Sequence, residues 1–300
     1  MHRALLAILI VAALTPRTAR AQDQDHYSLL MVWMPGLCKL EPDRPECKDL
    51  SLKRYDGRNL AFLAIAAARS SGFANTYCFT FPSDSEMDRE RRWCDMDKPH
   101  VGDAIADALK ELMPVAQSCE DRGLWARYAS CTLYSPDEYY SRGIRLATAL
   151  SGTQVNTQIA AAAGTTASQS ALVKAFATDF GDDWSNAIDF VCRKIAGKSH
   201  LYEVKISVTA RALSRGLAKE FLWKPTAALR RSCPESFLVD APPGMVLEGG
   251  GTAPSTAAPT SEAPTQAPPA APAPAPAEPP PPSSAPVGPV ETAPLEPVTR

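Results

Sequence analysis

The sequence predicts an α+β fold, and three observations carry that expectation. Tyr27 to Met34 is a near-continuous apolar run closed by Pro35, the pattern of a central strand buried on both faces. Ser135-Pro136-Asp137-Glu138 is a capping box with Pro at the first helical position, opening a helix to about Leu150. Tyr202, Val204, Ile206 and Val208 alternate with Glu203, Lys205 and Ser207, the mark of a half-exposed strand. Strands and helices follow one another irregularly, which favours α+β over a doubly wound sheet.

The remaining elements follow in chain order. Leu60 to Ala68 is a second buried segment with few β-branched residues, so strand and short helix both stay open. Asp103 to Met113 predicts a helix: Ile105, Leu109, Leu112 and Met113 share a face, and Pro114 stops it. Residues 151–170, rich in Ser, Thr, Gly, Gln and Ala, read as a surface loop. Trp184, Ala187, Ile188, Val191, Cys192 and Ile195 fall at helical spacing, with Asp182-Asp183 as the cap.

The chain of 300 residues divides by composition into three parts. Residues 1–21 read as an export signal. His2 and Arg3 precede an apolar run from Ala4 to Leu14, too short to span a bilayer, and Ala19-Arg20-Ala21 is a cleavage site that leaves Gln22 as the new start. Residues 22–240 form the folded domain. Residues 241–300 hold 18 of the 28 prolines and read as a disordered, extended Pro/Ala-rich tail. No other stretch is apolar enough to span a membrane once the signal is removed. The formal charge is −2 and the domain itself is near neutral, which excludes the strongly basic footprint of a non-specific nucleic-acid binder.

All eight cysteines, at 38, 47, 78, 94, 119, 131, 192 and 233, lie in the domain. An even number in an exported chain reads as four disulfides in a periplasmic or secreted protein. No C-x-x-C and no His at finger spacing accompany them, so neither a metal nor another cofactor is expected. Spacing alone leaves 105 pairings open. Asp179-Phe180-Gly181 lacks the other kinase motifs, and Gly249-Gly250-Gly251 follows no strand, so neither is read as a site.

The order of features resembles the ribonuclease T2 family, especially its bacterial periplasmic branch. The segments are W-M-P-G-L-C (Trp33 to Cys38), F-L-A-I (Phe62 to Ile65), L-M-P (Leu112 to Pro114), S-C-E-D-R-G-L-W-A-R-Y-A-S-C (Ser118 to Cys131), S-P-D-E-Y-Y (Ser135 to Tyr140) and Y-E-V-K-I-S-V (Tyr202 to Val208). The resemblance covers Tyr27 to Asp240. It implies a central antiparallel sheet packed with helices, and the disulfides Cys38–Cys47, Cys78–Cys119, Cys94–Cys131 and Cys192–Cys233. It also implies metal-independent cleavage of RNA through a 2′,3′-cyclic phosphate. That chemistry needs a base for the 2′-OH and an acid for the leaving oxygen, with charges that stabilise the phosphorane.

The residues that would do this are absent from the aligned positions. The family's H-G-L-W-P falls on Ala66, Ala67, Ala68, Arg69 and Ser70. Its H-E-x-x-K-H-G falls on Gly123, Leu124, Arg127, Tyr128 and Ala129, so only Arg127 keeps a charge and a capacity to contact phosphate. His2, His26, His100 and His200 lie elsewhere. Trp33, Trp125, Tyr128 and Tyr134 are candidates for a base-stacking surface, Trp33 being better suited to the core. Each lost acid or base removes about 10²–10⁴-fold in rate. The expected function is therefore that of an inactive ribonuclease-like protein. It would bind RNA or a nucleotide in a vestigial cleft, or an envelope protein through the Pro-rich tail. The rivals are a weak or altered endoribonuclease and a structural cap on an envelope-spanning tail.

Overall fold

The computed structural model describes residues 26–69, 74–225 and 232–245. The export signal, His2, Ser70 and the tail beyond Met245 lie outside the described residues. The elements in order are β1 (His26–Val32), α1 (Met34–Leu40), β2 (Ala61–Ala68), α2 (Pro82–Arg89), α3 (Asp103–Leu112), α4 (Glu120–Arg127), α5 (Pro136–Ser151), α6 (Gln154–Ala161), β3 (Thr165–Ser168), α7 (Gln169–Phe180), β4 (Ile188–Ile195), β5 (Lys198–Val208), α8 (Ala210–Arg215) and β6 (Ser236–Val239).

The architecture is α+β, with one sheet at its centre in the order β2-β1-β5-β6-β3 and β4 paired to β5. Every pairing is antiparallel except β5 with β6, which meet in parallel at His200 and Leu238. The sheet is thus mixed rather than wholly antiparallel. β4 occupies one edge of β5 along its length, so β1 and β6 share the other edge.

β2 is the strand form of the segment left open between strand and helix. All eight of its residues are buried, and alanines at 64, 66, 67 and 68 let neighbouring layers come close. Its outer edge is not left raw: the Tyr139 hydroxyl accepts from the Ile65 N–H (2.8 Å) and donates to the Ile65 carbonyl (3.1 Å). The capping box at Ser135 is formed as expected.

Three local expectations are corrected. Residues 151–170 are not a loop: the Thr153 and Ser168 side chains cap α6 and α7, and Val155, Ile159 and Leu172 are buried. Two of the Ser and Thr that suggested a loop, Thr153 and Ser168, are N-caps. The segment at Trp184–Ile195 is not a helix but a 3₁₀ turn over Asp182–Trp184 followed by strand β4. A bulge between Val191 and Cys192 breaks the two-residue alternation and imitates helical spacing. Ala196 and Gly197, both at positive φ, close the hairpin to β5, as a two-residue turn requires. β5 is largely buried rather than half-exposed, because it is central; Glu203 and Ser207 are buried with its apolar residues.

Four disulfides are present, with no free cysteine among the described residues. Cys38 pairs with Cys47, and Cys192 with Cys233. The middle two differ from the implied pairing: Cys78 joins Cys131 and Cys94 joins Cys119. Cys78 and Cys94 flank α2, while Cys119 and Cys131 flank α4. The observed pairs tie the start of one helix to the end of the other, which is what antiparallel packing demands. The implied pairs would need the helices to run parallel.

Candidate functional site

That antiparallel docking builds a cleft of about 510 Å³. Its walls come from the end of α1 (Glu41), Tyr77, α2, Arg91, Trp93, α4, and the β4–β5 hairpin (Arg193, Tyr202). Tyr77, Arg91 and Cys119 hold left-handed backbone around it, at φ 55°, 60° and 61°.

Asp88 sits at the centre, 1% exposed. Its carboxylate accepts from the Tyr77 hydroxyl (2.7 Å), Trp93 Nε1 (2.8 Å), and Arg127 Nε and Nη2 (both 2.7 Å). The Arg127 carbonyl in turn accepts from the Tyr77 N–H at 2.9 Å. Burial alone would lower the Arg127 pKa; the hydrogen bonds and charge of Asp88 outweigh it and raise it. Burial raises the Tyr77 pKa, and Asp88 adds to the effect. Arg127 is therefore committed to an internal carboxylate.

The other aligned positions are filled by packing. A Cβ on Gly123 would collide with Asp88 Oδ1 and lie 2.5 Å from Trp93 Cδ1, so no side chain fits there while Asp88 and Trp93 stay in place. Leu124 and Ala129 are buried in the main core. Tyr128 is half-buried with the Arg127 guanidinium over its ring, 5.7 Å from the centroid. Ala66 pairs with Ser28 inside the sheet, and Ala66, Ala67 and Ala68 are fully buried. Arg69 donates to Asn75 Oδ1 at 3.0 Å.

A second layer of ions supports the cleft. The Arg44 guanidinium bonds Glu46 (2.6 Å), Glu120 (2.5 Å), Ser118 (2.7 Å) and Glu41 (3.1 Å), and Arg91 reaches Glu41 at 2.6 Å. Burial raises the Glu120 pKa against the opposing pull of Arg44. Two guanidiniums on the walls meet no carboxylate within ion-pair distance among the described residues. Arg89 lies over Tyr77 at 5.1 Å, and Arg193 lies over Tyr202 at 5.2 Å. Burial pushes the Tyr202 pKa up to about 12. Sequence reasoning missed Asp88, Arg89 and Arg193; the charge run D-R-E-R-R before Trp93 was the signal available for the first two.

None of the described histidines lines the cleft. His26 is buried and stacked on Trp223, with centroids 3.6 Å apart. His200 is buried with Nδ1 2.9 Å from Asp240 Oδ2, and His100 is exposed. The four aromatics suggested as a stacking surface do not form one. Trp33 is a core residue whose Nε1 donates to the Asp240 carbonyl, Trp125 packs on Tyr139 and Tyr140, and Tyr134 is covered by Arg142. Among the described residues no cluster of three or more His, Cys, Asp or Glu could hold a metal ion, and no helix is long and apolar enough to cross a membrane.

No family model matches the chain. It is 26% identical to Ribonuclease I of Escherichia coli strain K12 over 263 residues, which is 80% of this chain and 96% of that protein. It also resembles solved structures, and the one at TM-score 0.50 shares its fold. The self-incompatibility SF11-RNase of Nicotiana alata matches at 14% identity and TM-score 0.50, over 73% of this chain and 100% of its own. Ribonuclease MC1 from bitter gourd seeds matches at 14% identity and TM-score 0.48, over 71% and 99%.

Proposed function

We propose that this chain, a ribonuclease T2-type protein by its homology to Ribonuclease I and by its fold, is exported and binds RNA or a nucleotide without cutting it. The observation that carries this reading is Asp88. It holds Arg127 by two bonds and, with Trp93, fills the space beside Gly123. The segments aligned with both family motifs then offer no imidazole, and alanine and leucine transfer no proton. Tyrosine, with an ordinary pKa near ~10, is a poor acid–base group at neutral pH. What the cleft keeps is Arg89 and Arg193 on aromatic supports, which suits phosphate contact and stacking more than catalysis. Four disulfides support a periplasmic or secreted setting. Contact with an envelope protein is assigned to the tail, residues 241–300. Deleting it is expected to abolish cross-linking to that protein and leave RNA binding unchanged.

One experiment reads binding and cleavage together. Labelled single-stranded RNA is titrated with the mature chain in chelator, followed by anisotropy, then run on a denaturing gel. The expected result is salt-sensitive binding of intact RNA, weakened on the order of 10-fold by Arg89→Ala with Arg193→Ala. Cut RNA, or equal binding by the double variant, overturns the reading.

A further inference from the structure

α4 has a second working side. Glu120 and Arg127 face the cleft, while Asp121 faces a separate cavity of about 280 Å³ between α3, α4 and α5. We propose that this cavity binds a small apolar molecule carrying both an ammonium and a carboxylate, with an apolar amino acid as the type ligand.

The walls are apolar: Val101, Leu109, Met113 and the ring of Tyr140 line it. Asp121 is 8% exposed. Its carboxylate has backbone N–H partners in its own helical turn, but among the described residues no cationic side chain reaches it at ion-pair distance. Burial raises its pKa, and the charges of Arg122 and Lys98 pull the other way without prevailing. A buried carboxylate against apolar walls is costly unless it is paired. An ammonium group brought in by a ligand supplies the missing partner.

The rim supplies the second half of the recognition. Lys110 is committed to Asp107 at 2.7 Å, whereas Lys98 borders the cavity with no ion pair among the described residues. A ligand with a cation alone would meet Lys98 as a repulsion, and one with an anion alone would leave Asp121 unpaired. A zwitterion matches both charges, and a branched aliphatic side chain matches the walls. The volume lies just below the usual range of ligand pockets, which suits a molecule as small as an amino acid.

The test uses the mature chain and calorimetric titration with three ligands: L-leucine, 3-methylbutylamine, which lacks the carboxylate, and 4-methylpentanoate, which lacks the ammonium. Leucine is expected to bind about 10-fold more tightly than either, because each truncation removes a charge-assisted contact. Asp121→Asn is expected to weaken leucine and the amine about 10-fold while leaving 4-methylpentanoate no weaker. Lys98→Ala, at an exposed side chain, is expected to weaken leucine and leave the amine no weaker. Should Asp121→Asn fail to fold, the ligand series and Lys98→Ala still decide. Leucine that fails to bind at millimolar concentration, three ligands that bind alike, or a Lys98→Ala protein that binds leucine as well as wild type overturns the proposal. The outcome is independent of the RNA reading, because neither Asp121 nor Lys98 borders the cleft.

Discussion

Strand β2 and helix α4 carry the two segments read from sequence against the motifs of the resembled family, and they are built in opposite ways. On β2 the side chains at 66–68 are simply small, and the sheet closes around them. On α4 position 123 is a glycine, and the space beside it is taken by Asp88 and Trp93 from the neighbouring helix and turn. One region is packed with small side chains; the other has no side chain beside a buried polar network. A strand of alanines can accept a larger side chain at the cost of crowding. Position 123 cannot accept a side chain without disturbing the four hydrogen bonds that hold Asp88.

The sharpest way to break this comparison is to put histidine at both places. Gly123→His is expected to destabilise the fold by about 5 kcal/mol or more, since it crowds the core and disrupts a buried ion pair. Ala66→His is expected to cost about 1–3 kcal/mol, the ordinary cost of overpacking. Urea melts of the two variants would show equal losses if α4 were as adaptable as β2.

Asp88→Ala is next in size. It strands Arg127 in a half-buried position and removes the partner of Tyr77 and Trp93, at about 3–5 kcal/mol by denaturant melt. It should also free the Arg127 guanidinium for added phosphate. Inorganic phosphate is therefore expected to raise the melting temperature of the variant more than that of wild type.

The smallest expected effect lies on the sheet, at Glu203. Burial, helped by Asp189 and opposed by Lys205 and Arg193, raises its pKa in the folded state. A raised folded pKa means that stability is fully present below the unfolded value near ~4.3 and is lost as pH rises through the folded value. Glu203→Gln should therefore melt above wild type at pH 7 and level with it at pH 3. The same gap at both pH values would show that burial of the ionised carboxylate is not the cause.

The legible parts of the molecule are those governed by local rules. The apolar run at Tyr27, the capping box at Ser135 and the helix at Asp103 follow from neighbours in sequence, and each forms. The β4 hairpin was hidden because one bulge at Val191 shifts the pattern from strand to helical spacing. Asp88 was hidden for a different reason. It lies in a charge run that reads as a solvated helix face, and only the antiparallel docking of α2 on α4 buries it. The crossed disulfides Cys78–Cys131 and Cys94–Cys119 depend on that same docking, so the pairing and the site were misjudged together.

The most direct test of the filled site is end-group analysis of RNA exposed to the wild-type mature chain, in chelator, between pH 5 and 8. The account expects no 2′,3′-cyclic phosphate ends above a mock purification. It would be contradicted by cyclic ends that co-purify with the protein through two columns and vanish in His100→Ala or His200→Ala, since the acid and base would then stand outside the cleft described above.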